Sequence, residues 1–168
     1  MKPSDIIAGL SLFISLLAFV VSCYPHITSF KERQRKSQDH YKKLITSSDW
    51  TNEGDIFGDY KSIFHIKFHD IPGRTNIYGE LTYFHEIHQV SEAVMLRGKI
   101  KPNGTIVAQL NLTIGWRESP AAQVTFVYDE DEDLLNYKFN HYVGSIDHAI
   151  SLSRFDFQTP LWRKTYES

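Results

Sequence analysis

At 168 residues with a formal charge of −2, the chain carries eight His, a single Cys and an aromatic share of 14%. One cysteine excludes an internal disulfide framework, and the roughly 120 residues beyond the N-terminal segments hold one domain with a sizeable core. The near-neutral total hides an asymmetry: residues 26–48 carry six Lys or Arg against two acids, whereas residues 49–168 set eleven basic against seventeen acidic side chains.

Residues 6–24, IIAGLSLFISLLAFVVSCY, form a run of nineteen without a charge. As a helix rising ~1.5 Å per residue it covers roughly 28 Å, close to the hydrocarbon core of a bilayer. Residues 1–25 are therefore read as a single transmembrane helix. Ser4, Ala8, Ser11, Ser15, Ala18 and Ser22 recur at spacings of four and three, which places them on one helical stripe. A stripe of small residues lets a second helix approach closely and bond across the contact, so the span is expected to self-associate through Ala8, Ser11, Ser15, Ala18 and Ser22.

Pro25 is expected to end or kink this helix. Residues 26–48 then read as a basic juxtamembrane helix or linker, able to rest on anionic headgroups. Lys31, Arg33, Arg35, Lys36, Lys42 and Lys43 lie on this side of the span, against Lys2 and the amino terminus on the other. The positive-inside bias then places residues 49–168 in the cytoplasm. Two other readings compete. Val20-Val21-Ser22-Cys23 resembles a relaxed lipobox that would lipidate Cys23, and the apolar run could be a cleaved signal. The length of the run and the basic cluster behind it favour a retained anchor, and a cluster abutting a span favours lipid headgroups over the alternative of a DNA- or RNA-binding arm.

From Trp50 the pattern changes to period two. A first strand is expected near residues 50–60, followed by strands carrying Phe64, Ile66 and Phe68; Ile77, Leu81 and Tyr83; Val94, Leu96 and Ile100; Ile106, Ala108, Leu110 and Leu112; Ala122, Val124, Phe126 and Tyr128; and Leu135, Tyr137, Phe139 and His141. Turns fall at Ile71-Pro72-Gly73, Pro102-Asn103-Gly104, around Pro120 and in the acidic run from Asp129 to Asp133. After Gly144-Ser145, with one helical turn through His148 and Ile150, a last strand is expected near Ser153, Phe155 and Phe157. Short consecutive strands with no long helix between them make an antiparallel meander. Closing it into an up-and-down β-barrel of about eight strands removes the exposed edges, so the domain of residues 49–168 is all-β.

Catalytic chemistry finds no support. The one Cys lies in the span, no Ser sits in a GxSxG elbow, and no Gly-rich phosphate loop is present. Metal sites fare no better. His85-Glu86-Ile87-His88 lacks zinc-motif spacing, and Asp129, Asp131 and Asp133 lack the glycine and glutamate that a calcium loop needs. No cofactor is implied. What remains is an aromatic interior: Tyr83, Trp116, Tyr128, Tyr137 and His141 share the inward phase, where a planar ligand could stack. Arg74, Arg97, Arg117 and Arg154 could hold its phosphates at the rim.

This layout, an N-terminal membrane segment, a basic connector and a compact meander barrel, resembles the membrane-anchored β-barrel effectors of bacterial CBASS anti-phage systems. The resemblance covers the whole chain and rests on architecture; those effectors carry two membrane helices where this chain has one. It implies a barrel that binds a cyclic oligonucleotide, a homo-oligomer formed through the span, and disruption of the inner membrane. Two other functions fit the same residues: a lipocalin-like lipoprotein carrying an apolar ligand, and a membrane-tethered interaction module without a ligand. Replacing Ser11 and Ser15 by Leu is expected to weaken self-association of the span in a membrane reporter assay, and an unchanged signal would refute the small-residue seam.

Overall fold

The structure, a computed structural model, describes residues 3–53, 62–71, 75–85, 90–114, 117–143 and 158–164. Helix α1 (Pro3–Thr46) precedes eight strands: β1 (Asp49–Thr51), β2 (Ser62–His69), β3 (Asn76–His85), β4 (Val90–Ile100), β5 (Thr105–Ile114), β6 (Arg117–Asp129), β7 (Leu134–Tyr142) and β8 (Gln158–Arg163). They form a closed barrel in sequential order. Every neighbouring pair is antiparallel, including β1 with β8 at the closure. The chain divides into two compact units, Met1–Lys36 and Ser37–Ser168.

In the first unit the apolar side chains have no protein cover. Leu12, Phe13, Leu16, Phe19, Val20 and Val21 are all exposed, and an 18-residue window here has a mean hydropathy of 1.6 with none of it buried. By length and composition this one helix could cross a membrane. Of the two outcomes expected at Pro25, ending the helix is not the one seen: Pro25 lies inside α1. Pro removes one backbone donor; close by, Thr28 donates to the Tyr24 and Pro25 carbonyls, and Ser22 to that of Ala18. The basic connector is likewise helical, with Glu32 and Lys36 paired one turn apart at 3.0 Å.

Residues from Ser37 onward belong with the barrel, which revises the reading of residues 26–48 as one membrane-surface linker. Lys42 in particular is buried (5% exposed). Its ammonium pairs with Asp70 at 2.7 Å and donates to the Ile71 carbonyl, so it is withdrawn from any headgroup. Ser37 donates to the Pro102 carbonyl and Gln38 to that of Ile100. The ring of Tyr41 lies against Gly104, which holds a positive φ of 75° and where a Cβ would come within 3.0 Å of that ring. These contacts lay the last turns of α1 across the barrel end where the β2–β3, β4–β5 and β6–β7 connections gather.

Strand alternation fills the interior. Ile66, Leu81, Leu96, Ile106, Leu110, Val124, Phe126, Leu135, Tyr137 and Leu161 are all within 1% of full burial. The rings of Phe68, Phe126 and Tyr137 follow one another at 5.4 Å spacings. Two irregularities adjust the strands. On β6, Ala121 is inserted where Pro120 faces Asn111, a position suited to proline because a bulge needs no ladder donor. On β7, Phe139 faces Val124 but His141 faces Gln123, so Asn140 is extra. That bulge reverses the side-chain phase: Tyr142 packs toward the core, and His141, expected inside, is exposed on the outer face. The first strand is shorter than expected, Asp49–Thr51, with residues 54–61 outside the described residues. The last described strand is Gln158–Arg163; the strand expected near Ser153, Phe155 and Phe157 and the helical turn expected through His148 and Ile150 lie outside the described residues.

Closure rests on few residues. Among the described residues β1 meets β8 at Trp50 opposite Arg163 and Thr51 opposite Trp162, and the Lys164 N–H donates to the Asp49 carbonyl at 2.8 Å. Arg163 reinforces that seam. Its guanidinium lies 4.7 Å from the centre of the Trp50 ring, grips the Asp133 carboxylate at 2.6 and 2.8 Å, and donates to the Leu44 carbonyl and the Ser47 and Ser48 hydroxyls. Trp50 in turn donates to the Ile45 carbonyl at 2.8 Å. The open carbonyls of the last turn of α1 are thereby satisfied by the first and last strands. The bond from Arg163, with a second from the Tyr128 hydroxyl, holds the Asp133 carboxyl below its usual pKa against the opposing effect of burial.

A carboxyl with a depressed folded pKa stabilises the fold above its unfolded pKa, about 4, and that stabilisation is lost as pH falls through the folded value. The gap in thermal stability between the wild type and Asp133→Asn is therefore expected to close on acidification below about pH 4. Arg163→Ala is expected to cost about 2 kcal/mol in urea unfolding of the full chain, through lost charged hydrogen bonds and ring contacts.

Candidate functional site

Outward-facing side chains of β3 to β6 bound a groove of about 730 Å³. β4 and β5 form its floor, β3 supplies Asn76 and Tyr78, β6 supplies Gln123, and Gln38 of α1 stands at one end. Register explains the assembly. Tyr78 pairs with Arg97, Arg97 with Gln109, Gln109 with Gln123, and Gln123 with His141. One polar rung thus crosses five strands, roughly 19 Å at the usual strand spacing. A second rung, Asn76–Lys99–Val107, runs beside it.

The electrostatics oppose those of the chain as a whole. Arg97, Lys99 and Lys101 line the groove and no carboxylate does. Against a formal charge of −2 for the protein, this outer face presents three cations. The Arg97 guanidinium sits 5.7 Å from the centre of the Tyr78 ring and bonds the Glu118 carboxylate at 2.6 Å. Glu118 itself is not among the lining residues. An aromatic face, a planar guanidinium, two ammonium groups and the amides of Gln38, Asn76, Gln109 and Gln123 suit an anionic ligand carrying hydrogen-bonding rings.

The expected lumenal residues separate in the structure. Tyr137 and Tyr83 are packed in the core, Tyr83 against Phe64 at 5.0 Å between ring centres. Tyr128 is committed to the closure: it stacks edge-on to Trp50, and its hydroxyl donates to Asp133 at 2.6 Å. Burial, and then the bond to Asp133, push its phenol pKa up. Arg97 and His141 share the outer rung, while Arg117 is exposed at the start of β6. Trp116, Arg74 and Arg154 lie outside the described residues. So do Glu86, Ile87 and His88; among the described residues no His, Cys, Asp or Glu group is placed to hold a metal. In the span, Ser22 already donates to its own helix at 2.8 Å, and Ala8, Ser11, Ser15 and Ala18 lie within α1.

Tyr78, Lys99, Lys101, Gln109 and Gln123 escaped the sequence reading. A signal was available: in LRGKIK three cations stand at alternate positions, hence on one strand face. Attention to the inward phase concealed it.

Comparison with known protein families, curated proteins and solved structures finds no match for this chain. Function must be argued from the groove itself. The floor at Gly98 leaves no room for a side chain, since a Cβ there would lie 2.7 Å from both the Ala108 Cβ and the Val107 carbonyl oxygen. Gly98→Ala is accordingly expected to lower the unfolding free energy by about 1–3 kcal/mol, the usual cost of overpacking, in thermal or urea denaturation.

Proposed function

We propose that the protein is a membrane-anchored effector whose barrel binds a cyclic oligonucleotide second messenger in the groove of β3 to β6. Binding drives oligomerisation through the transmembrane segment and disruption of the bacterial inner membrane in anti-phage defence. The observation that carries this reading is the groove: three cations, a half-buried tyrosine ring and four amide side chains, with no acid among its described lining residues. Phosphodiesters need the cations, and bases need ring faces and amide donors or acceptors.

Other features support it. The apolar helix supplies an anchor, and the six basic residues that follow favour a cytoplasmic barrel. A side-chain-filled interior argues against a carrier holding an apolar ligand in the lumen. Ligand-bridged barrels would raise the effective concentration of the spans, and the small-residue stripe would then close.

Calorimetric titration of the full-length protein in detergent with cyclic di- and trinucleotides is expected to give saturable heat with at least one of them. Reversing both Lys99 and Lys101 to Glu is expected to weaken that binding by more than about tenfold, two charge-assisted contacts being lost, with the unfolding temperature little changed. Silence across the panel would count decisively against the nucleotide reading and favour a tethered interaction module.

A further inference from the structure

Glu118 lies outside the groove lining but is bonded to one of its cations, Arg97. It stands on β6 opposite Thr113, so its carboxylate must reach across β5 to meet Arg97 on β4. The contact is close, 2.6 Å from Oε2 to Nη2. Yet the pair is exposed, with 54% of the Arg97 side chain and 36% of that of Glu118 accessible. An ion pair this open to water adds little to stability. Stability alone gives little reason for it to be there.

Its position gives a better one. Among the described residues Arg97 is the guanidinium that lines the groove, flanked by Tyr78 and Gln109 in register. A guanidinium fork presents the same donors to a carboxylate as to a phosphate. Lys99 and Lys101 are ammonium point charges and cannot substitute for that planar edge. We infer that Glu118 is a built-in competitor: it occupies Arg97 in the unliganded groove and sets the threshold that an incoming phosphate must exceed. A weakly charged anion fails to displace it, whereas a ligand with two phosphates also meets Lys99 and Lys101 and succeeds. Glu118 thereby determines specificity without being a contact of the ligand.

The inference rests on the groove being an anion site, and the test separates it from the identity of the ligand. Inorganic pyrophosphate and the cyclic nucleotide panel are titrated into full-length wild type, Glu118→Gln and the double variant Glu118→Gln/Arg97→Gln, with unfolding temperatures recorded for each. Glu118→Gln is expected to bind pyrophosphate about fivefold more tightly than wild type, the equivalent of a surface ion pair no longer competing. The double variant is expected to lose that gain. Should Glu118→Gln unfold, Glu118→Ala takes its place in both variants. A pyrophosphate gain without any cyclic-nucleotide binding supports the role of Glu118 and removes the nucleotide reading. Unchanged or weaker pyrophosphate binding in a folded Glu118 variant, or a gain that survives loss of Arg97, overturns the inference.

Discussion

The barrel is closed by a strand of three residues. Among the described residues two pairings and the bond from the Lys164 N–H to the Asp49 carbonyl join β1 to β8. What secures them is one arginine set between rings and the end of a helix: Arg163 meets Trp50, Tyr128, Asp133 and the last carbonyls of α1 at once. Each of these groups comes from a different part of the chain. The corner therefore ties residues 44–50 to residues 128–133 and to 163, and it turns an eight-strand meander with two free edges into a barrel with none. Trp50 is completely buried there, so the charge of Arg163 is held against an apolar wall while its donors are satisfied on the rim.

That closure has a consequence for where function can sit. An eight-stranded barrel is just wide enough for its own side chains, and here phenylalanine, tyrosine and branched aliphatic residues occupy the interior to near-complete burial. The last turns of α1 lie over one end. Polar chemistry is left to the outer face, where the alternation of strands makes every second residue available. Toward the end of β4 that alternate set is Arg97 and Lys99, with Lys101 just beyond the strand. Acidic residues elsewhere, the Asp129-to-Asp133 hairpin foremost, set the net charge without entering the groove. Net charge thus misleads about partners when opposite charges segregate on one small domain.

The fold was legible because period-two alternation and turn chemistry are local. Pro102-Asn103-Gly104 turns where expected, and the six strands β2 to β7 need nothing beyond the pattern of their own residues. In the eighth, Pro160 pairs with Asn136 of β7 and lies beyond the pairings of β8 with β1, a position that a residue without a backbone donor can take. The site was less legible for a related reason. A bulge adds one residue at no cost to local composition, so nothing around Asn140 announces that His141 changes face. Lys42 shows the same limit in another form. Its neighbours Lys36 and Lys43 read as a solvated basic helix, and only a tertiary partner, Asp70, explains why an ammonium is buried. Arg163 was silent as well, because its partners are 30 to 119 residues away in sequence.

Signal transfer in the proposed mechanism asks little of the junction between the two units. If ligand changed the shape of the barrel, the change would have to travel through a rigid connection into the membrane. Closure by Arg163 and a filled interior leave the barrel few ways to deform. Association needs no such route. A ligand shared between outer grooves brings barrels together, and the spans, linked covalently to them, then meet at a raised effective concentration whatever their orientation. The requirement falls instead on the helix surface. Its large apolar side chains satisfy lipid, and the small-residue stripe must prefer another helix to lipid by packing alone, because a serine such as Ser22 that already bonds its own backbone brings less hydrogen-bonding capacity to the contact. A seam of that kind is weak for isolated spans and becomes sufficient once the barrels are joined, which is the behaviour a conditional effector requires.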